Sequence, residues 1–439
     1  MTTVAQRIHL AIDAAVDAAA PLVSGQVEEV RGLSVGVRGV PVRVGDLVRI
    51  GATQRPAEVV SVHGELATCL PLGPLAGTGA GDRVVATGRP MSVAVGAQLL
   101  GRVLDGLGQP LDGSSLPPGL ARVSVEAAPP DAMTRARVDR PLPLGIRAID
   151  TLTPVGIGQR MGIFAGSGVG KSSLMSMITR GTRADVTVLA LVGERGREVR
   201  EFLEDDLGPD GLRNAVVVVA TSDQPPMVRL RAAFVATRIA EWFRDTGRDV
   251  LLLMDSVTRL AMAQREIGLS AGEPPTTRGY PPSVFAMLPR LLERAGASAT
   301  GSITGLYTVL VEGDDHNEPI ADTARSILDG HIVLDRKLAN AGHFPSIDAL
   351  SSVSRVATAV TTAEQRTLIR HARQLIDARR DVKELVEIGA YVAGTNPRAD
   401  RALALWPALE QFLQQELRDV VPVDAAWRAL DELLGDIDG

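Results

Sequence analysis

The sequence predicts an α/β protein. A parallel-sheet domain lies at its centre, with a small β-barrel or sandwich before it and a helical region after it. Three observations carry this. Between Gly145 and Arg355, apolar runs of strand length alternate with helical segments, the rhythm of a sheet buried on both faces. From Val23 to Val95, short Val-rich runs are broken at close intervals by Gly, Pro and Asp, as in small all-β domains. Beyond Arg355 strand signals fade and helical periodicity takes over.

The first segment, residues 1–22, places Val4, Ile8, Ile12 and Val16 four apart among alanines, with Pro21 ending the pattern. That is the stripe of a short amphipathic helix, which either packs on its own domain or docks to a partner. In the β region, strands are expected at Val27–Val30, Leu33–Val37, Val42–Val48, Val59–Val62 and Arg83–Ala86. A Gly/Pro-rich passage, Gly101–Pro118, leads into an extended connection reaching Pro143. The central rhythm then reads as strand Arg160–Ala165, a loop, helix Ser172–Arg180, and strands Val186–Val192, Ala215–Ala220 and Val250–Met254, with a helix over Pro226–Phe243. Helices are expected again at Ala363–Glu387, Ala399–Leu417 and Asp424–Leu434.

Bulk properties exclude several classes. A chain of 439 residues exceeds what one core holds, so two or three domains are expected. A net charge of −6 argues against a protein whose main task is to bind nucleic-acid phosphates. With Cys69 as the single cysteine, no intrachain disulfide can form, and a buried apolar role is expected for it. The histidines have no zinc-type spacing, and His316, set among Asp314, Asp315 and Glu318, reads as a turn residue. No apolar run approaches the ~18 residues of a membrane span, and the start of the chain is not a signal peptide. A cytoplasmic protein is expected, with any membrane contact borrowed from partners.

The run Ala165-Gly-Ser-Gly-Val-Gly170-Lys171-Ser172 lies between an expected strand and an expected helix. Glycines let successive backbone N–H groups turn toward phosphate oxygens, and the following helix offers its positive end to the same anion. Gly166, Ser167, Gly168, Val169, Gly170, Lys171, Ser172 and Ser173 are therefore the candidate nucleotide cradle. Lys171 would reach the terminal phosphates and Ser172 would help hold Mg²⁺. Ala165 stands where the strict motif has glycine, a relaxation that its small side chain permits.

Two carboxylates at strand ends add hydrolysis to binding. Asp255 closes Val250–Met254, where it can take part in Mg²⁺ coordination or, alternatively, cap a helix. Glu194 follows Val186–Val192 through Gly193, where it can polarise an attacking water or, alternatively, pair with Arg195 or Arg197. Ligands of open parallel sheets gather at the carboxyl ends of strands, so both can converge on the cradle.

The run Gly193-Glu-Arg195-Gly-Arg197-Glu198 resembles the signature of rotary-type ATPase heads, and Leu350-Ser-Ser-Val-Ser-Arg355 resembles their later Ser-x-Ser-Arg segment. Three further passages, Asp139–Asp150, Glu312–Asp322 and Ser326–Val333, are similar to the export branch of that superfamily. The chain as a whole resembles the flagellar protein-export ATPases, with virulence-type secretion ATPases as near relatives. Gly166-Ser-Gly-Val-Gly170 looks more like the flagellar version.

This resemblance implies a partner-docking helix (1–22), an N-terminal β-barrel (23–95), a RecA-like ATPase domain (96–355) and a C-terminal helical domain (356–439), assembled as a homohexamer. It implies that Glu194 is the catalytic carboxylate, that Arg195 lies near the phosphates, and that Arg355 enters the neighbouring subunit's site as an arginine finger. Phe344, in His343-Phe-Pro-Ser-Ile, matches the position where a ring stacks on adenine. The implied substrate is ATP, used with Mg²⁺. The implied partners are a stator-like protein at the first helix, export-gate proteins, and substrate or chaperone proteins, at the cytoplasmic face of the inner membrane.

Two other readings share parts of this pattern. The catalytic head of an ion-translocating ATP synthase has the same site, but Glu387-Ile-Gly-Ala-Tyr391-Val-Ala-Gly-Thr is not the acidic helix-turn segment typical of those subunits. An RNA-translocating hexamer is disfavoured by the acidic balance and by the lack of clustered aromatic and basic residues in the β region.

Overall fold

The structure, a computed structural model, describes residues 23–311 and 318–435. The expected first helix and His316 lie outside the described residues. The chain divides into two compact units, one through Met91 and one comprising Ser92–Leu269 and Glu273 onward.

The first unit is a closed six-stranded barrel. Its strands are β1 (Ser24–Arg31), β2 (Ser34–Arg38), β3 (Asp46–Ile50), β4 (Arg55–His63), β5 (Leu66–Pro71) and β6 (Arg83–Pro90), in the order β1-β2-β5-β4-β3-β6. Closure through β6 back onto β1 leaves no free sheet edge. Val35, Val37, Val48, Val59, Val84 and Cys69 fill the interior. Burial pushes the Cys69 thiol up to about 12, so it is an inert apolar filler. Strand β5, flanked by Gly64 and the Pro71-Leu-Gly-Pro74 turn, had no Val-rich signal, yet it fills the gap between β2 and β4. The barrel ends at Pro90. Residues Ser92–Val95, expected in its tail, form β7 and pair instead with β9 (Ala121–Ser124) in a separate two-stranded sheet.

The second unit is built on a nine-stranded sheet among the described residues, in the order β17-β16-β10-β15-β13-β11-β12-β8 with β14 on β15. The strands are β8 (Val103–Asp105), β10 (Arg160–Ala165), β11 (Val186–Glu194), β12 (Ala215–Thr221), β13 (Asp249–Asp255), β14 (Gly296–Ala297), β15 (Ser302–Leu310), β16 (Gly330–Leu334) and β17 (Val353–Ser354). All pairings are parallel except those of β14 and β17. Every residue of β11 is buried, as a strand covered on both faces requires. The sequence reading missed β15 and β16. Ser, Thr and Gly dilute the apolar signal of Ser302-Ile-Thr-Gly-Leu-Tyr-Thr-Val-Leu310, and β16 is only five residues long.

Helices α1 (Arg147–Leu152), α2 (Lys171–Gly181), α3 (Gly196–Glu201), α4 (Pro226–Asp245), α5 (Val257–Ser270), α6 (Pro282–Leu292) and α7 (Pro319–Ile327) connect the strands. Three more, α8 (Ala363–Glu387), α9 (Pro397–Leu413) and α10 (Val423–Leu434), form the C-terminal region and share one apolar core with the sheet. Thr362 and Gln365 make a reciprocal capping box at the start of α8. Helix α9 was expected to run to Leu417 but stops at Leu413. There Arg147 donates to the carbonyls of Phe412 and Gln414, and the Gln415 side chain bonds the Arg147 amide and the Gly145 carbonyl. With these bonds residues 414–417 leave the helical path as a strap. Among the described residues, no helix is long and apolar enough to cross a membrane.

Candidate active site

Strand β10 ends at Ala165 and α2 begins at Lys171, so the glycine-rich run is the turn between them. Gly168 and Gly170 adopt φ values of +76° and +89°, which L side chains rarely tolerate. The loop is held from outside by Ser346 Oγ on the Val169 carbonyl (2.6 Å) and Arg336 Nη1 on the Ser167 carbonyl (3.1 Å). Ser172 and Ser173 are exposed at the first turn of an 11-residue helix, where backbone amides and the helix dipole favour an anion.

Both carboxylates reach this turn. Strands β11 and β13 are neighbours, with Leu191 opposite Asp255. Lys171 Nζ lies 2.5 Å from Asp255 Oδ1 and 3.3 Å from Glu194 Oε1. Thr308 on β15 donates to the same Asp255 oxygen at 2.6 Å. Arg259 Nη1 bonds Glu194 Oε2 (2.6 Å) and the Gly193 carbonyl (2.7 Å). Glycine suits position 193, whose φ of +74° L side chains rarely adopt and where a Cβ would crowd the Arg259 side chain at about 3.0 Å. Two cations thus balance two carboxylates that are nearly out of solvent, Glu194 at 7% and Asp255 at 3% exposure. Buried charge persists only when paired in this way.

The alternative roles considered for these carboxylates are not the ones observed. Glu194 pairs with Lys171 and Arg259, not with Arg195 or Arg197, which bond Glu198 and Glu201 on α3. Arg195 is not drawn into the cluster: its side chain is 79% exposed. Helix capping after β13 falls to Ser256, whose Oγ accepts from the Arg259 amide.

Ser172, Glu194 and Asp255 border a cavity of about 20 Å³. Among the described residues no three His, Cys, Asp or Glu side chains group as a metal cage. A hydroxyl and one carboxylate nonetheless suit Mg²⁺, which takes few protein ligands and fills the rest of its shell with water and phosphate oxygens.

Beside the loop lies a larger pocket of about 330 Å³, bordered by Gly170, Ser173, Gly342, Phe344 and the strap Gln414–Leu417. Phe344 is 46% exposed, so it is not a core residue. Its carbonyl accepts from the Gln415 amide at 2.9 Å, which ties the strap to the ring's own backbone.

Arg355 is elsewhere. It follows β17, whose Ser354 pairs with Gly330 at the start of β16, whereas the cradle leaves the far end of β10. The length of β10, roughly 17 Å at ~3.3 Å per residue, separates the two ends of the sheet. Arg355 is exposed and cannot reach the cradle of its own chain.

Arg259, Thr308, Arg336 and Ser346 were not singled out from the sequence. Arg259 carried a usable signal, being four residues beyond Asp255 and thus one turn into the helix after a functional strand end. The others meet the site only through strand order.

A model of the ATP synthase alpha/beta family nucleotide-binding domain matches residues 145–354, and one of the T3SS EscN ATPase C-terminal domain matches residues 361–432. The Flagellum-specific ATP synthase of Bacillus subtilis is 52% identical over 94% of this chain and 95% of its own length. The Type 3 secretion system ATPase of Xanthomonas euvesicatoria is 50% identical over 89% of each chain. The assembled ATPase EscN from the type III secretion system of enteropathogenic E. coli superposes with a TM-score of 0.90 at 46% identity, covering 93% of this chain and 100% of that one. The same protein has been solved in complex with its central stalk EscO, with a TM-score of 0.88. Matched along nearly its whole length and carrying a glycine-rich turn beside two buried carboxylates, the chain is an ATPase of the family that holds the flagellum-specific ATP synthases and the type 3 secretion system ATPases.

Proposed function

We infer that this ATPase works as a homohexameric ring, hydrolyses ATP with Mg²⁺ between neighbouring protomers, and energises export of flagellar proteins through a type III secretion apparatus. The observation that carries the reading is Lys171 bonded to two carboxylates at the carboxyl ends of β11 and β13, beside a glycine turn. When ATP enters, the loop amides and the start of α2 take the phosphates, and Lys171 exchanges Asp255 for phosphate oxygens. Ser172 and Asp255 would hold Mg²⁺, whose charge offsets that of the phosphates. Glu194, kept in place by Arg259, orients the attacking water and polarises it. Phe344 stacks on the adenine within the strap-lined pocket. Arg355 of a neighbouring protomer stabilises charge developing on the transferred phosphoryl group.

ATPase activity per chain should rise with protein concentration, in step with ring mass measured by sedimentation. Activity independent of concentration in a species shown to be monomeric would refute the ring. Phe344→Ala should raise KM for ATP about 10-fold with little change in kcat, since stacking on a base contributes roughly 1–3 kcal/mol. An unchanged KM would remove Phe344 from the site.

A virulence-type secretion role is the second reading, because relatives of both branches match at close to half identity. Restored filament growth in a strain lacking its flagellar export ATPase decides between them. The place of work is the cytoplasmic face of the membrane export apparatus, reached through partners. These are a stator-like protein at residues 1–22, a stalk protein as EscO is to EscN, export-gate proteins, and substrates with their chaperones.

A further inference from the structure

The exposed Arg355 stands on a rigid base. Its amide donates to the Asp329 carbonyl at 2.9 Å, and the same carbonyl accepts from Gln159 Nε2 at 3.1 Å. Gln159, fully buried, also donates to Ser354 Oγ at 3.1 Å. Ser354 pairs with Gly330, which lies so close to β17 that a Cβ would sit 2.4 Å from the Val353 carbonyl. By contrast, among the described residues the Arg355 guanidinium makes one weak contact, 3.4 Å to the Arg325 carbonyl. The backbone is fixed and the side chain is left projecting.

What fixes Asp329 is Arg160. Its guanidinium grips the carboxylate with a fork, Nε to Oδ2 at 3.0 Å and Nη2 to Oδ1 at 3.1 Å. The Arg160 amide donates to Oδ2 at 3.0 Å, and the Asp329 amide returns a bond to the Arg160 carbonyl at 2.8 Å. From the other side Glu293, just after α6, pairs with Arg160 and is itself held by Arg135 at 3.0 Å. The Arg160 side chain is 13% exposed, so the fork works in a partly dry setting where charge-assisted bonds are strong. Arg160 is also the first residue of β10, the strand whose last residue runs into the phosphate cradle.

We propose that Asp329, clamped by Arg160, is a positioning residue for Arg355: it sets the place from which this arginine reaches the neighbouring protomer's phosphates. The proposal rests on the assignment of Arg355 as a finger acting between chains. It adds that the finger's base is anchored to the same strand that carries the chain's own cradle. An arginine that must meet a phosphoryl group held by another chain has no local partner to guide it, so its backbone must be preorganised.

The test is steady-state ATP hydrolysis by full-length rings of Asp329→Asn and of Arg160→Lys, which keeps the charge but loses the fork. Each should lower kcat on the order of 10-fold to 10²-fold, with KM for ATP within about 2-fold, because misplacement by ~1 Å has effects of that size. In an Arg355→Ala background, Asp329→Asn should add nothing further. Mixing Asp329→Asn chains with Lys171→Ala chains should restore part of the activity, since one supplies an intact cradle and the other an intact finger. Melting temperature and ring mass report folding, and Arg160→Lys stands in if Asp329→Asn does not assemble. Unchanged kcat in both variants overturns the proposal, as does an equal further loss in the Arg355→Ala background. Failure of Asp329→Asn to recover on mixing, when Arg355→Ala does recover, overturns it while leaving the finger in place. Full activity of Arg355→Ala overturns the finger and the proposal together.

Discussion

Glu194→Gln lowers kcat by roughly 10²–10⁴-fold while nucleotide still binds, as expected when a general base is removed without changing its shape. The amide keeps an oxygen able to accept from Arg259, so the side chain stays where the β11 bulge and Arg259 put it. Lys171 keeps Asp255 as its partner. What disappears is the negative charge that the proposed mechanism uses to polarise water. Titration with a fluorescent ATP analogue and steady-state phosphate release, run on the same preparation, separate these effects. Loss of binding together with turnover would make Glu194 a structural counter-ion, and full turnover would remove it from the chemistry.

Arg355→Ala is expected to lower kcat by about 10³–10⁵-fold, the range over which supplied arginine fingers act. The magnitude follows from bringing a permanently charged fork to a site where charge spreads over phosphoryl oxygens. Because Arg355 sits at the end of the sheet opposite the glycine turn of its own chain, the deficit should fall on the neighbour. Chains with Arg355→Ala mixed with Lys171→Ala chains should therefore regain part of the activity at interfaces where an intact cradle faces an intact arginine. Native mass spectrometry of the mixture establishes that hybrid rings form. No recovery in proven hybrids would mean that the site is completed within one chain.

The glycine turn between β10 and α2 could be read in advance because consecutive residues and the start of one helix make it. Asp255 was legible because it directly ends the apolar run Val250–Met254, and Glu194 because it follows Val186–Val192 through Gly193; parallel sheets present such ends together. Their partners were not. Arg259 and Thr308 come from a helix and a strand whose relation to Lys171 depends on β15 entering the sheet between β10 and β13. The strap at Gln414–Leu417 reads as the tail of a helix, and it is bonds to distant residues, Arg147, Gly145 and Phe344 among them, that hold it at the border of the larger pocket.

By itself, then, the amino-acid order determined the barrel–sheet–helix succession and a glycine turn with two acidic residues at neighbouring strand ends. Those features are local: a few neighbouring residues specify them through glycine freedom, apolar runs and helix ends. Tertiary structure alone decided that Glu194 is held by Lys171 and Arg259, that Arg195 pairs with Glu198 instead, and that Arg355 stands a strand's length from the glycine turn of its own chain. Strand order is set by burying the whole core at once, so which distant side chains meet is a property of the packed sheet and of no single segment.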